Sequence, residues 1–227
     1  MNINNQSIER GGILKKGDLI WGAILLAFTA FVIVPETHVL FVTFTTAHPF
    51  VSGFLKFGLL ATMGEMLVGR LISKKWKKAP GFIWRVIVWG FLGMVITLIF
   101  TVFSGGVIAA LDKGLLIGKG NALAFAFFTS LLMNTTFAPT FMAFHRYTDT
   151  YLDLKYGEKV AKPTVAQVVT RIDWKGFVSF TVLKSIPFFW IPAHTITFLL
   201  PPEYRVLVAA YLSLALGLLL TIAKGKK

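Results

Sequence analysis

Residues 177–200 read FVSFTVLKSIPFFWIPAHTITFLL, twenty-four residues with a single charge at Lys184, and 201–223 read PPEYRVLVAAYLSLALGLLLTIA. At a rise of about 1.5 Å per residue, each run is long enough for the roughly 30 Å hydrocarbon core of a bilayer. Pro201-Pro202-Glu203-Tyr204-Arg205 supplies the turn between them, so the pair reads as two spanning helices joined by a tight outer connection. Lys184, Ser185, Pro187, Pro192 and His194 interrupt the first arm, and Ala210, Ser213, Gly217 and Thr221 share one face of the second.

The composition extends that reading to the whole chain. With 227 residues, 56% hydrophobic and 15% aromatic, and a mean hydropathy of +0.72, the chain is too apolar for a water-soluble domain of its size. Cysteine is absent, which excludes disulfides, thiolate-ligated zinc and thiol nucleophiles. The net charge of +13 invites a nucleic-acid reading. Its lysines and arginines sit between apolar runs rather than on one solvated face, so nucleic acid is not an expected partner. The amino end carries Glu9 and Arg10, and 19–34 lacks a small-residue cleavage site, so the first apolar run is expected to stay in the protein. A bacterial plasma membrane is the expected location, with an organelle membrane as the alternative.

The predicted fold is an all-α bundle of six transmembrane helices. The first span, 19–34, lies in an amino-terminal extension of 1–47, and 39–47 reads as an interfacial or outer segment. Pro49 opens the second span at a position where its missing N–H does no harm, and this span, 50–72, holds Lys56 and Glu65. At 100° per residue Gly58, Ala61, Glu65 and Gly69 share a face and Lys56 points nearly opposite, which places the helix centrally. The third span begins near Phe82 with Arg85 in its first turn. Its stripe of Gly90, Gly93, Thr97, Thr101 and Ser104 either packs closely on a neighbour or lines a solvated interior. Ser104-Gly105-Gly106 should loosen its outer end. The fourth span, 122–144, carries Asn134, Thr135 and Pro139. In the polar segment 145–174, Thr164-x-x-Gln167 matches a capping box, followed by Val165, Val168, Val169 and Ile172 at helical spacing, predicting a short amphipathic helix anchored by Trp174.

Basic residues orient the bundle. The stretch 70–78 carries Arg70 and four lysines and 145–175 carries six basic residues, whereas the opposite side has only Lys113, Lys119 and Arg205. Six spans place every basic-rich segment, both termini included, on one side, which the positive-inside rule makes cytoplasmic.

Charges inside the spans mark the candidate site, because each costs about 2.5–3.5 kcal/mol near a helix centre. Counting along the helices puts Glu65 and Lys184 at matching depth, so an ion pair between them is expected, with Arg85 as the other partner for Glu65. A conducting centre built on that pair requires Lys184 to face inward. Pro187 and Pro192 free carbonyls near Leu183 and Phe188. If the helix keeps its phase, Thr181, Lys184 and Thr195 share a face and, with Asn134 and Thr135, form a polar cavity for a small anion or other polar solute. The pore or cavity candidates are therefore Lys184, Glu65, Arg85, Asn134, Thr135, Thr97, Thr181, His194 and Lys56. Glu36, His38 and His48 match no metal-ligand spacing, and no metal or cofactor is expected. Signatures of soluble enzymes are missing, and helix counting puts Glu65 and His194 near opposite ends of the membrane, so an enzyme is not expected.

His48-Pro49 with Gly58 and Gly64-Glu65, then Arg85, Leu111-Asp112-Lys113, Phe137-Ala138-Pro139 and Pro201-Pro202-Glu203-Tyr204-Arg205-Val206-Leu207, occur in an order and spacing that resemble one membrane-protein family. It is the family of the Mpv-seventeen protein and the peroxisomal membrane protein of twenty-two kilodaltons, and the resemblance runs from residue 48 to about 223, within a family-like bundle over 48–227. Met133-Asn134 stands where the family has Asp-Gln, Ile196-Thr197 where it has Asn-Phe, and Leu216-Gly217 where it has Trp-Asn. The resemblance implies a small helical membrane protein of organellar or bacterial membranes, in a family whose members have been proposed to form channels for small solutes. The expected partners are the lipid bilayer, a small polar solute and, as one option, further copies of the chain. The expected function is thus a channel or low-selectivity pore for small polar solutes or metabolites in a lipid bilayer. The alternative is a non-conducting structural or assembly factor.

Overall fold

The computed structural model describes residues 15–224, with side chains as far as residue 219. Glu9, Arg10, Lys226 and Lys227 lie outside it, as does the side chain of Thr221. Every regular element among the described residues is helical, as the sequence predicts. The chain divides into two compact units at Phe41–Val42.

The first unit contains α1, Lys16–Ile33, and the start of α2, Pro35–Ala47. Asp18 accepts from the Lys15 backbone N–H at 2.7 Å and closes the start of α1. Pro35 ends it. Across that break the Thr37 hydroxyl donates to the Phe31 carbonyl at 2.7 Å and the His38 ring Nδ1 lies 2.7 Å from the Val32 carbonyl, so exposed helix-end acceptors are met locally.

The second unit is built on α3, Pro49–Ser73, and α4, Phe82–Asp112, which run antiparallel in close contact. A Cβ added at Gly53 would stand 2.7 Å from the Gly93 carbonyl oxygen, and one at Gly93 would stand 2.7 Å from the Phe57 Cβ. The backbones meet where neither residue has a side chain. The small-residue stripe of α4 therefore packs helices at Gly90 and Gly93. Contrary to expectation, Ser104-Gly105-Gly106 does not loosen the helix. α4 continues for 31 residues to Asp112, about 46 Å at the helical rise.

α5, Ala122–Thr136, is capped by Asn121, whose side-chain oxygen accepts from the N–H groups of Leu123 at 2.8 Å and Ala124 at 3.1 Å. α6, Ala138–Leu152, follows after a bend of 47°, caused by Pro139, which cannot donate to the ladder and crowds the preceding turn. The polar segment expected from residue 145 thus begins inside a helix. α7, Val165–Arg171, has the predicted capping box of Thr164 and Gln167. Val168 and Ile172 are buried on Leu154, Tyr147 and Tyr151, while Val165 and Val169 stay exposed.

α8 spans Trp174–Leu199. From Phe177 to Trp190 it winds with bonds from residue i+5 back to residue i, the last of them from the Ile191 N–H to the Ile186 carbonyl. This wider turn accommodates Pro187 and removes the α-helical phase on which the Thr181–Lys184–Thr195 face depended. After the Pro201-Pro202 turn, α9, Pro202–Lys224, returns parallel to α3, with Gly64 against Leu214 and Gly217 against Val68. Among the described residues five helices, α1, α3, α4, α8 and α9, are long and apolar enough to cross a bilayer, and the bent pair of α5 and α6 makes a sixth candidate. The chain is an integral membrane protein by that measure.

Candidate functional site

Among the described residues, two of the cavities of the second unit bear on the candidate site. The larger, about 1220 Å³, is lined from α3, α4, α5, α6, α8 and α9 and reaches from the basic end of the bundle to Phe100. The smaller, about 610 Å³, lies toward the opposite end, and Phe100 lines it too.

Arg85 organises the basic end of the larger cavity. Only 6% of this residue is exposed, and the position in the first turn of α4 aims the guanidinium back toward α6. Its Nη1 donates to Asp149 Oδ1 at 2.8 Å, its Nη2 to Asp153 Oδ1 at 2.7 Å and its Nε to the Pro80 carbonyl at 3.0 Å. Glu65 Oε2 stands 3.9 Å from Nη1. One turn along α4, the Trp89 indole N–H donates to Glu65 Oε1 at 2.9 Å, and its ring centroid is 4.1 Å from that of His145. His145 Nε2 is in turn 3.3 Å from Asp149 Oδ2 and 3.6 Å from Glu65 Oε1. Taking these charges out of water is costly, and the mutual hydrogen bonds offset it.

Glu65, His145 and Asp149 present ligand atoms within 4.8 Å of one another, the spacing a small cation would need. The Arg85 guanidinium already bonds Asp149 and approaches Glu65, so a cation is present in the cluster as a side chain.

Deeper in the same cavity, the Asn134 amide donates to the Ser130 carbonyl at 2.9 Å and lies 3.1 Å from His194 Nδ1. The His194 ring stacks on Trp190 at 5.2 Å and meets Phe100 edge-on at 5.7 Å. Among the described residues the Trp190 indole nitrogen, which is buried, has no hydrogen-bond partner, and neither has His145 Nδ1. Ser130 donates to the Ile191 carbonyl at 2.7 Å, which ties α5 to α8 where Pro192 follows.

Of the residues singled out from the sequence, Glu65, Arg85, Asn134, Thr181 and His194 line the larger cavity, and Lys56 and Thr97 line the smaller one. Glu65 and His194, expected near opposite ends, face one space. Thr135 is exposed and bonds back to its own helix at Leu131. Lys184 is exposed and lines neither cavity. The expected Glu65–Lys184 pair does not form; Glu65 accepts from Trp89 and stands 3.9 Å from Arg85, its alternative partner. On the wide turn of α8 the residues that line the cavity are Gly176, Phe177, Phe180, Thr181, Ser185, Trp190 and His194, and Lys184, next to Ser185, is exposed instead.

Trp89, His145, Asp149 and Asp153 were not among the sequence candidates. A signal was present, since His145, Asp149 and Asp153 recur at intervals of four, the spacing that aligns side chains on one helical face. No family model, curated protein or solved structure matches the chain.

Proposed function

We propose that the protein is a channel or low-selectivity pore for small polar solutes, with the two cavities as vestibules and Phe100 as the constriction between them. The observation that carries this reading is that Phe100 lines both spaces while packing on His194 and Phe198, the latter at 4.9 Å. An aromatic ring with cavities on two sides closes a path by filling it, and a rotamer change would open it. Lys184 has no part in this route. The resemblance to the Mpv-seventeen and twenty-two-kilodalton peroxisomal protein family supports the reading, and the excess of basic residues at one end of the bundle supports a cytoplasmic side for both termini and the larger cavity, in a bacterial plasma membrane or, as the alternative, an organelle membrane. A homo-oligomer is compatible with the reading and is not required by it.

The rival is a non-conducting structural or assembly factor, favoured by the close glycine contact of α3 with α4. Solute leakage from liposomes containing the pure protein separates the two. A pore releases small polar solutes faster than protein-free vesicles and faster still with Phe100→Ala, whereas equal leakage in all three refutes the pore.

A further inference from the structure

The smaller cavity has a chemical character of its own. Lys56 lines it with only 2% of its surface exposed, and its ammonium donates to Thr45 Oγ1 at 3.0 Å. Thr45 Oγ1 is in turn 3.0 Å from Ser52 Oγ. Arg205 adds a second positive charge to the lining against the single carboxylate of Glu203, and its guanidinium is held over Phe198 at 5.6 Å with Nε donating to the Leu200 carbonyl at 2.9 Å. The hydroxyls of Thr97 and Thr101 donate to carbonyls of their own helix. Ser104 differs, because it is 9% exposed and its Oγ is buried with no hydrogen-bond partner among the described residues, although it lines the same space. A buried hydroxyl left unmatched costs roughly 1–3 kcal/mol, and buried polar groups are ordinarily satisfied.

We propose that this cavity is an oxyanion site, which takes a carboxylate or phosphate group on Lys56 and Ser104. The cation supplies the charge, the free hydroxyl supplies a donor, and the net positive lining excludes cations. A volume of about 610 Å³ lies within the usual range of small-molecule sites and admits an organic anion as readily as inorganic phosphate. The inference rests on the pore reading only in naming the solute class. An anionic lipid headgroup has the same chemistry as a soluble phosphate.

The test is equilibrium binding of radiolabelled inorganic phosphate and succinate to the full-length protein in a neutral detergent, with erythritol as an uncharged control. Saturable binding of either anion is expected, weakened at least about tenfold by Lys56→Met and about threefold by Ser104→Ala, in line with the usual strengths of charged and neutral hydrogen bonds. Lys56→Arg, which keeps the charge, should retain binding even if Lys56→Met lowers the melting temperature. The proposal fails if neither anion binds saturably, if erythritol binds equally, or if neither Lys56→Met nor Ser104→Ala changes the affinity. Displacement of the anions by phosphatidylglycerol assigns the site to a lipid phosphate, and lack of displacement assigns it to a soluble anion. Liposome flux separates this inference from the pore. Binding without flux refutes the pore alone, and flux without binding refutes the oxyanion site alone.

Discussion

Arg85 of α4 donates to Asp149 of α6 at 2.8 Å across 64 residues of sequence. This bond joins the two helices at the basic end of the larger cavity, and Glu65 of α3 completes the contact. Breaking a buried ion pair leaves an uncompensated charge. Arg85→Met and Asp149→Asn should therefore each destabilise the protein by about 3 kcal/mol, with a coupling on the order of 1–3 kcal/mol in the double variant. Unfolding by denaturing detergent from mixed micelles measures both, and strictly additive effects would show that the two side chains act independently.

Lys184 faces outward from the wide turn of α8, so its removal should do little. Lys184→Met is expected to change unfolding free energy by no more than about 0.5 kcal/mol and to leave liposome leakage at the unsubstituted rate. A large effect on either would return Lys184 to the interior.

Gly93 lies against Gly53 where two helix backbones touch. Gly93→Val should cost at least about 1–3 kcal/mol through overpacking, whereas Gly105→Ala, where an added Cβ meets nothing within 4 Å, should be neutral or slightly stabilising. Comparing the unfolding of the two variants tests the α3–α4 contact directly.

Phe100 lines both cavities. Phe100→Ala should lower stability by about 3–5 kcal/mol and raise the leakage of small polar solutes, and the bulkier Phe100→Trp should lower it. Leakage that follows neither substitution places the route, if there is one, elsewhere.

The absence of cysteine allows single-cysteine labelling without background. Lys77→Cys and Lys155→Cys should react with a membrane-impermeant maleimide from one side of the membrane and Lys119→Cys from the other. Labelling of Lys155→Cys and Lys119→Cys from the same side would remove the bent α5–α6 pair from the count of spans.

Much of the fold was legible because its signals are local. Length and hydropathy identify spans at 50–72, 177–200 and 201–223 without any tertiary information, since a bilayer imposes one thickness on every helix. The capping box at Thr164 and Gln167 and the break at Pro35 are likewise written in neighbouring residues. The site was legible only in part. Glu65 and Arg85 stand out as charges in or beside apolar spans, but depth along the helices matches Glu65 with Lys184, which is not its partner. Depth specifies position along the membrane normal and says nothing of rotation about the helix axis. His145, Asp149 and Asp153 belong in sequence to a polar segment, and their shared helical face acquires meaning only because α6 continues past residue 145.

What the amino-acid order determined by itself is therefore an all-helical, lipid-embedded chain, the extent of most of its spans and the excess of basic residues on alternate loops, because hydrophobicity and helical rise act on each segment independently. Tertiary structure alone decided which side chains meet: the pairing of Arg85 with Asp149, the shared cavity of Glu65 and His194, and the outward turn of Lys184. Those outcomes depend on the azimuth of each helix, which close packing and the wide turns of α8 set together and which no single segment encodes.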